Sequence, residues 1–493
     1  MNDCVIIGYH ETELSADEPS LVVEDEGDLP VPVRNLRRSQ LSIDGGFRSY
    51  LDALACVRRD GQAESCAYTV AELPSLGTVY LVNYLRSHGH SAEFVNSFTF
   101  EQDRLAELLA DGPGSVAITT TFYMVPAPVI DIVRFVRERA PGAPIIVGGP
   151  LVDNNCRAHE HDMEHLQRFF DGVGADIYVW ESQGEATLEA VVAALKADGD
   201  AAGIPNVFTR SGRTWTMSGR RPENNDLDEC VVRWPSFDAE VLGPTLSTRT
   251  ARSCAFKCAF CDYPERAGGL TLASVDTVER ELEELARMGV RRVAFIDDTF
   301  NVPTRRFKEL CRMMVRRDFG IEWFSYFRCG HAREPEVYDL MHAAGCRGVL
   351  LGIESADDQV LRNMDKRATR AAYSYGIEQL RRRGIFVHAS LVIGFPGETP
   401  DTVRRTIDFL DETGPDTFAC NHWYYLHSTP VHGRAAEFDL RGKGYKWSHR
   451  TMDSRRAMEA ADEIFASVTG AAWMPVTGLD FWGVPYMLGK GMT

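Results

Sequence analysis

Three cysteines, Cys254, Cys258 and Cys261, stand in the run Arg252-Ser253-Cys254-Ala255-Phe256-Lys257-Cys258-Ala259-Phe260-Cys261. Three thiolates at C-x3-C-x2-C spacing can hold three irons of a cubane and leave the fourth iron without a protein ligand. Such an open position admits a small molecule, as it does on a catalytic zinc. A structural zinc site would need four protein ligands, and no Cys or His occurs between Asp262 and Leu310. The ligand count therefore points to a [4Fe–4S] cluster on Cys254, Cys258 and Cys261. The other nine cysteines (4, 56, 66, 156, 230, 311, 329, 346 and 420) form no second cluster spacing.

A regular series of elements must position that loop. Strands are expected at 247–252, 293–297, 322–328, 348–353, 387–393 and 417–425, with helices at 276–288, 304–316, 370–383 and 400–412. Six βα units predict a partial or complete barrel over 246–429, with its chemistry at the C-terminal strand ends. The tail 430–493 shows no clear period and reads as a small C-terminal extension.

The first half alternates in the same way. Strands at 4–9, 92–96, 116–121, 144–147 and 176–179 alternate with helices at 77–88, 130–139 and 186–196. That rhythm predicts an α/β layer of Rossmann-like type, a parallel sheet with helices on both faces, over 1–215. Residues 12–73 interrupt it and read as an insertion without assigned chemistry; 216–245, polar and Pro-containing, reads as a linker.

Bulk composition limits the partners. Of 493 residues, 44% are hydrophobic and 25% charged, the balance of a soluble globular chain. Lys plus Arg is 53 against Asp plus Glu at 71, a net charge of -18 that repels nucleic acid and anionic membranes. No apolar stretch approaches the roughly 18 residues of a membrane span, and the N-terminus lacks a basic signal-peptide region. A cytoplasmic protein with reduced cysteines is expected.

The cysteine loop, with aromatic Phe260 before its last cysteine and after a first barrel strand, resembles the radical S-adenosylmethionine (SAM) superfamily. The resemblance implies that SAM binds the open iron and is cleaved to a 5′-deoxyadenosyl radical by an electron from the cluster. It also implies SAM contacts at successive strand ends: Phe260, Asp297, Asp298, Arg328, Glu354, Ser355 and Gly394. Taken singly, each of these is also what a helix cap or a turn would show.

The first α/β domain resembles the cobalamin-binding domain that precedes the barrel in one branch of that superfamily. The matching residues are Leu76, Gly77, Thr119, Thr120, Thr121, Gly148, Gly149, Pro150, Ser182, Gln183, Gly184 and Glu185. Glycines after strands admit a bulky nucleotide tail, and hydroxyls can bond its phosphate and amides. A plain Rossmann-like domain with tight turns is the alternative. No D-x-H-x-x-G signature surrounds any of the 13 histidines, which implies base-off cobalamin with no His ligand.

At finer grain, Thr248–Pro264, Ile296–Pro303, Trp447–Ser454 and Leu488–Met492 resemble the branch containing the P-methyltransferase of phosphinothricin (bialaphos-type) biosynthesis. The implied activity is methylation of an unactivated carbon or phosphorus centre of a natural-product precursor, P-methylation of a phosphinate included. It would proceed through the 5′-deoxyadenosyl radical and methylcobalamin, with an electron donor of flavodoxin or ferredoxin type. Cyclisation, rearrangement or oxidation without methyl transfer, C-methylation of a peptide or amino acid, and a non-catalytic cobalamin protein are the alternatives. Tyr425 and His427, with His422, Trp423, Tyr424, Lys446 and His449, are candidates near the substrate; Tyr425 and His427 are the catalytic candidates among them. Packing is the alternative for each.

Overall fold

The computed structural model of the protein describes residues 2–10, 34, 38, 40–43, 46–50, 72–121, 123, 125–238, 242–474 and 481–491. Most of the expected insertion 12–73, with Cys56 and Cys66, lies outside them, as does Met492. The chain divides into two compact units, one from residues 1–14 and 71–242, the other from 15–70 and 243–493.

The first unit is built on a sheet of β1 (Cys4–Tyr9), β2 (Ala92–Ser97), β3 (Val116–Thr119), β4 (Ile145–Gly148), β5 (Ile177–Val179), β6 (Val207–Ser211) and β7 (Thr214–Met217). Its order is β2-β1-β3-β4-β5-β6-β7. The first five strands run parallel, and β6 and β7 add an antiparallel hairpin at one edge. The central strands are short apolar runs such as Val5-Ile6-Ile7, fully buried, as a sheet covered on both faces requires. The order reverses between β1 and β3, which opens a crevice at their C-terminal ends. The helices α1 (Leu76–Ser87), α2 (Pro150–Ala158) and α3 (Glu185–Lys196) start at that end of the sheet.

Residues 216–245, expected as a linker, belong with the first unit as far as Leu242. The reason is a cap. The Glu223 carboxylate accepts from Ala186 N at 3.1 Å, Thr187 N at 2.8 Å and the Thr187 hydroxyl at 2.5 Å. An acidic, polar run thus satisfies the free N–H groups opening α3. The described residues between 34 and 50 of the insertion, expected within the first domain, fall in the second unit. There Arg34 and Arg38 pair with Asp462 at 2.8 and 2.6 Å, and the Trp473 indole donates to Arg38 O.

The second unit holds seven parallel strands in sequence order: β8 (Thr245–Thr248), β9 (Arg292–Phe295), β10 (Glu322–Phe327), β11 (Cys346–Glu354), β12 (Phe386–Ile393), β13 (Thr417–His422) and β14 (Ala472–Trp473). Six are the expected barrel strands. The seventh comes from the tail. The crossovers include α4 (Val275–Arg287), α5 (Thr304–Arg317), α6 (Arg370–Arg381) and α7 (Pro400–Thr413). The tail also forms α8 (Ser454–Ser467), whose buried face is largely alanine: Ala457, Ala460 and Ala461 with Met458 and Ile464. Alanine contrasts weakly with the polar face, so no period shows in the sequence. The segment after it packs Phe481 against Phe324 and His388, and Trp482 against Tyr326. No helix among the described residues is long and apolar enough to cross a membrane.

Replacing Glu223 by Ala should cost the first unit about 1–2 kcal/mol, since a charged cap on a helix N-terminus is lost. Urea unfolding followed by near-UV circular dichroism measures this; Glu223→Gln should recover part of the loss, and an unchanged midpoint would count against the cap.

Candidate functional site

The cysteine loop leaves the second sheet through a bend at Thr250, and a buried carboxylate holds that bend. Asp297, 1% exposed, accepts from Thr250 N (2.6 Å), the Thr250 hydroxyl (2.6 Å) and Ala251 N (3.0 Å). Arg306 of α5 donates to the Thr250 hydroxyl and to its carbonyl. The loop then turns at Ser253, whose φ of 70° is held by its hydroxyl on Gly268 O at 2.7 Å. Ala259 N donates to Met364 O, and Ala259 O accepts from Val431 N. Cys258 is buried; Cys254 and Cys261 are half-buried. Burial, the first cause, pushes the Cys261 thiol up to about 11, and the neighbouring Cys258 and Cys254 add to it.

Residues at the ends of four strands reach this loop. After β9, Thr299 Oγ1 lies 3.5 Å from Cys254 Sγ. After β10, Arg328 Nη1 lies 3.8 Å from Cys258 Sγ, with its guanidinium 3.7 Å above the Phe256 ring. At the end of β11, Glu354 accepts from Lys366 Nζ at 2.7 Å, both side chains buried, and Nζ stands 5.5 Å from the Phe260 ring. After β12, Phe395 meets Phe260 edge-on at 6.4 Å. Phe260, Arg328 and Glu354, expected around SAM, are thus gathered at the cysteine loop.

Other expected SAM contacts have different roles. Both oxygens of Asp297 are used on the bend, so it positions the loop from below. Ser355 is fully buried, and its hydroxyl accepts from Asp357 N in a turn. Gly394, with φ of 101°, leaves room for the cap residues: a Cβ there would stand 2.5 Å from the Trp447 ring. Asp298 is exposed at the strand end. Thr299 and Asn301 fall in the 296–303 stretch that carried a family resemblance but no assigned role; Lys366 had no distinguishing signal in the sequence and lies on a loop twelve positions after the Glu354 it pairs with.

In the first unit, the crevice between β1 and β3 brings two of the expected loops together. A Cβ on Gly77 would stand 3.4 Å from Thr121 Oγ1, and Thr121 itself is exposed. Thr120 is buried and donates to Gly148 O at 2.8 Å while accepting from Leu151 N. Gly149, with φ of 103°, could carry no side chain, since a Cβ would lie 2.9 Å from Thr120 Oγ1. Thr119 is buried beneath, with long contacts of 3.4 Å to Ile7 O and Gly8 O. Gly77 and Thr121 approach one another at the switch point, and Thr120 with Gly148-Gly149-Pro150 braces the neighbouring strand ends. The last expected loop is engaged elsewhere. The Ser182 hydroxyl donates to Glu181, Gln183 Nε2 donates to Glu223 O, and Glu185 accepts from Asn225. Gly184, in the left-handed region at φ 80°, makes the turn into α3.

Residues 248–410 match the model of the Radical SAM superfamily. That stretch is a radical SAM domain. It is 26% identical over 360 residues to an uncharacterized methyltransferase of Pyrococcus horikoshii, covering 70% of this chain and 74% of the relative. It is 24% identical over 363 residues to the anaerobic magnesium-protoporphyrin IX monomethyl ester cyclase of Cereibacter sphaeroides, covering 70% and 57%. The chain therefore spans between about half and three-quarters of the length of these relatives. Among solved structures, the fold is similar to TsrM of Kitasatospora setae with cobalamin and a [4Fe–4S] cluster bound, at TM-score 0.61 and 22% identity. That match covers 74% of this chain and 75% of TsrM. It is also similar to OxsB with aqua-cobalamin bound, at TM-score 0.62 and 16% identity, covering 78% and 63%.

The donor set of the radical SAM domain fits a cluster. Among the described residues, no three His, Cys, Asp or Glu side chains converge on the position of a single ion. A cubane does not require this, because each thiolate takes its own iron.

The far side of the radical SAM domain mouth is packed. Tyr425 is buried, with its hydroxyl 2.6 Å from His432 Nδ1. His427 is exposed and bonds Gly442 O at 2.9 Å. Both ring nitrogens of buried His422 lie near carbonyls, Trp423 O and Ser454 O. His449 stacks on Trp447 and donates from Nε2 to Gly394 O. Trp423 lies among Phe395, Tyr425 and Trp447. Tyr425, His422, Trp423 and His449 therefore anchor the cap, while Tyr424 and Lys446 are exposed. Cys329 and Cys420 are buried thiols whose ionisation burial pushes up.

Two outcomes follow from buried charge. Lys366→Met leaves Glu354 buried without its cation and should cost about 3–5 kcal/mol, read by thermal unfolding, whereas Lys366→Met with Glu354→Gln should regain much of it. Glu398, fully buried, is pushed up to about 8 from 4.5, first by burial. Below 4.5 both folded and unfolded chains hold this proton; between 4.5 and about 8 only the folded chain does. Stability should therefore fall as pH rises through that window and level off above it. The gap in unfolding midpoint between wild type and Glu398→Gln should change across these pH values; a constant gap would refute the shift.

Proposed function

We propose that this chain is a cobalamin-dependent radical SAM methyltransferase acting on an unactivated carbon or phosphorus atom of a small or peptide-derived natural-product precursor. One observation carries the reading. A three-thiol loop on a parallel barrel shares its chain with a β2-β1-β3-β4-β5 layer at whose switch point Gly77 and Thr121 meet; Leu76, beside Gly77, is assigned to the same cofactor face. The likeness to TsrM and OxsB, which bind cobalamin in their structures, and to a methyltransferase at 26% identity supports it.

When bound, the cluster and SAM supply a radical that abstracts hydrogen, and cobalamin supplies a methyl group that a carbon or phosphorus radical accepts. The chain's own part is binding and orientation. Cys254, Cys258 and Cys261 hold the cluster. Phe260, the Lys366–Glu354 pair and Gly394 shape the SAM side of the mouth, and exposed Asp298 offers a carboxyl to SAM's amino group. Residues 1–215 hold cobalamin, base-off and with no His ligand, since no D-x-H-x-x-G occurs. Residues 246–429 form the catalytic barrel and 430–493 its substrate-side cap. Exposed His427 and Tyr424 are the mouth residues open to substrate, and Tyr425 orients this edge through His432. A flavodoxin- or ferredoxin-type donor in the cytoplasm provides the electron.

A phosphinate is the finer substrate proposal, supported by the resemblance of 248–264 and 447–454 to the phosphinothricin branch. TsrM, whose structure is known with tryptophan substrate bound, supports an amino-acid-like substrate instead. The cyclase relative, at 24% identity, favours a second reading in which substrate is oxidised or cyclised without methyl transfer.

Anaerobic reconstitution should give about four irons per chain and stoichiometric cobalamin, and Cys258→Ala should lose the iron. With methyl-labelled SAM and reductant, label should enter the product alongside 5′-deoxyadenosine. An unlabelled product with 5′-deoxyadenosine formed selects the second reading, and absence of both rules out the proposal.

A further inference from the structure

We infer that Arg328 sets the reduction potential of the cluster on Cys254, Cys258 and Cys261, and that Asn301 and the Lys366 carbonyl hold it in place for that purpose. The inference rests on those cysteines binding a [4Fe–4S] cluster. The resemblance to the superfamily implied a different task for Arg328, binding the carboxylate or ribose of SAM. Its contacts are otherwise disposed. Nη1 points at Cys258 Sγ, 3.8 Å away, and Nη2 donates to Lys366 O. One face of the guanidinium is covered by Phe256, whose ring lies 3.7 Å below it. Both terminal nitrogens of the fork are therefore used on the cluster loop and its brace.

The backbone of Arg328 is clamped as well. Asn301, 1% exposed, accepts from Arg328 N at 3.0 Å and donates Nδ2 to Arg328 O at 3.0 Å. A buried amide that satisfies both main-chain groups of one residue fixes where its side chain starts. The other nearby cation, Lys366, is neutralised by Glu354 at 2.7 Å. The Arg328 guanidinium, by contrast, forms no ion pair with a carboxylate among the described residues, and its Nη1 faces Cys258 Sγ.

The consequence is electrostatic. Reduction adds one electron, and so one negative charge, to the cluster, drawn from a low-potential donor of flavodoxin or ferredoxin type. A fixed cation donating N–H to a ligand sulfur stabilises the reduced form more than the oxidised form, which raises the potential. Arginine suits this task because it stays charged at any working pH and its planar fork holds one orientation.

The test uses the full chain, reconstituted anaerobically as wild type, Arg328→Gln, Arg328→Lys and Asn301→Ala. Iron and sulfide per chain are measured first. The cluster is then titrated with dithionite through mediators and followed by electron paramagnetic resonance, and SAM affinity is measured by equilibrium binding. In Arg328→Gln the reduction equilibrium should shift at least about tenfold against the reduced cluster, 59 mV for one electron, with SAM affinity unchanged. Arg328→Lys should shift less, and Asn301→Ala should move in the same direction although the charge is kept. A wild-type midpoint in Arg328→Gln overturns the inference, and a loss of SAM affinity alone assigns Arg328 to SAM. Should Arg328→Gln fail to hold iron, the Lys and Asn301 variants decide; failure of all three makes Arg328 an assembly residue and equally overturns the inference. A wild type without a cluster would instead sink the cluster reading itself.

Discussion

Asp297 occupies the position on which the geometry of the site depends. Its carboxylate is enclosed at the end of β9 and is bonded to Thr250 and Ala251, just where the chain leaves β8 for the cysteine loop. A buried carboxylate is tolerated only if its oxygens are satisfied, and here the groups that satisfy it are the backbone and hydroxyl of the bend. Arg306 closes the same corner from α5. The charge and the loop therefore specify one another: the bend cannot relax without stranding the carboxylate. The three cysteines proposed to present sulfur to separate irons start from a fixed origin.

From that origin the loop is held at its far points by strand ends. Thr299, Arg328, the Lys366–Glu354 pair and Phe395 come from β9, β10, β11 and β12 or the loops that follow them. Each contact is modest alone. Together they gather one cation, one neutralised ion pair and two aromatic edges around the thiols, surroundings that govern potential and solvent access at a metal centre. The last strands contribute differently. Their aromatic and histidine side chains are mutually packed, and the left-handed Gly394 lets Trp447 settle against the strand end. That packing fastens the tail over the barrel edge and leaves only a few side chains, Tyr424 and His427 among them, exposed.

The first unit solves a related problem with fewer charges. Its crevice arises from the strand order alone, because adjacent strands whose connections leave toward opposite faces part their loops. Thr120 and Gly149 brace the opening through a backbone approach too close for a Cβ. Glu223 closes the start of α3 from a segment distant in sequence. Gln183 and Glu185, which resemblance had placed at the cofactor, are drawn to that segment because a helix start with free N–H groups attracts the nearest carboxylate.

Much of this was legible in the chain itself. The three thiols with no fourth ligand nearby, the alternation of strand and helix in both halves, and the run of polar residues at strand ends are all local patterns. They follow from ligand spacing and from the periods of buried elements. What depended on contacts across long separations was not legible. Lys366 could not be joined to Glu354, nor Glu223 to α3, nor Asn301 to the backbone of Arg328, because nothing local marks which carboxylate a buried cation will meet. The alanine-faced α8 and the seventh barrel strand lacked contrast rather than information about their partners. Residue type and spacing thus determined which chemistry the chain can hold. Tertiary structure decided which polar groups remain open to a ligand and which are consumed in supporting the fold, because a buried charge must find its partner wherever the fold brings one within reach.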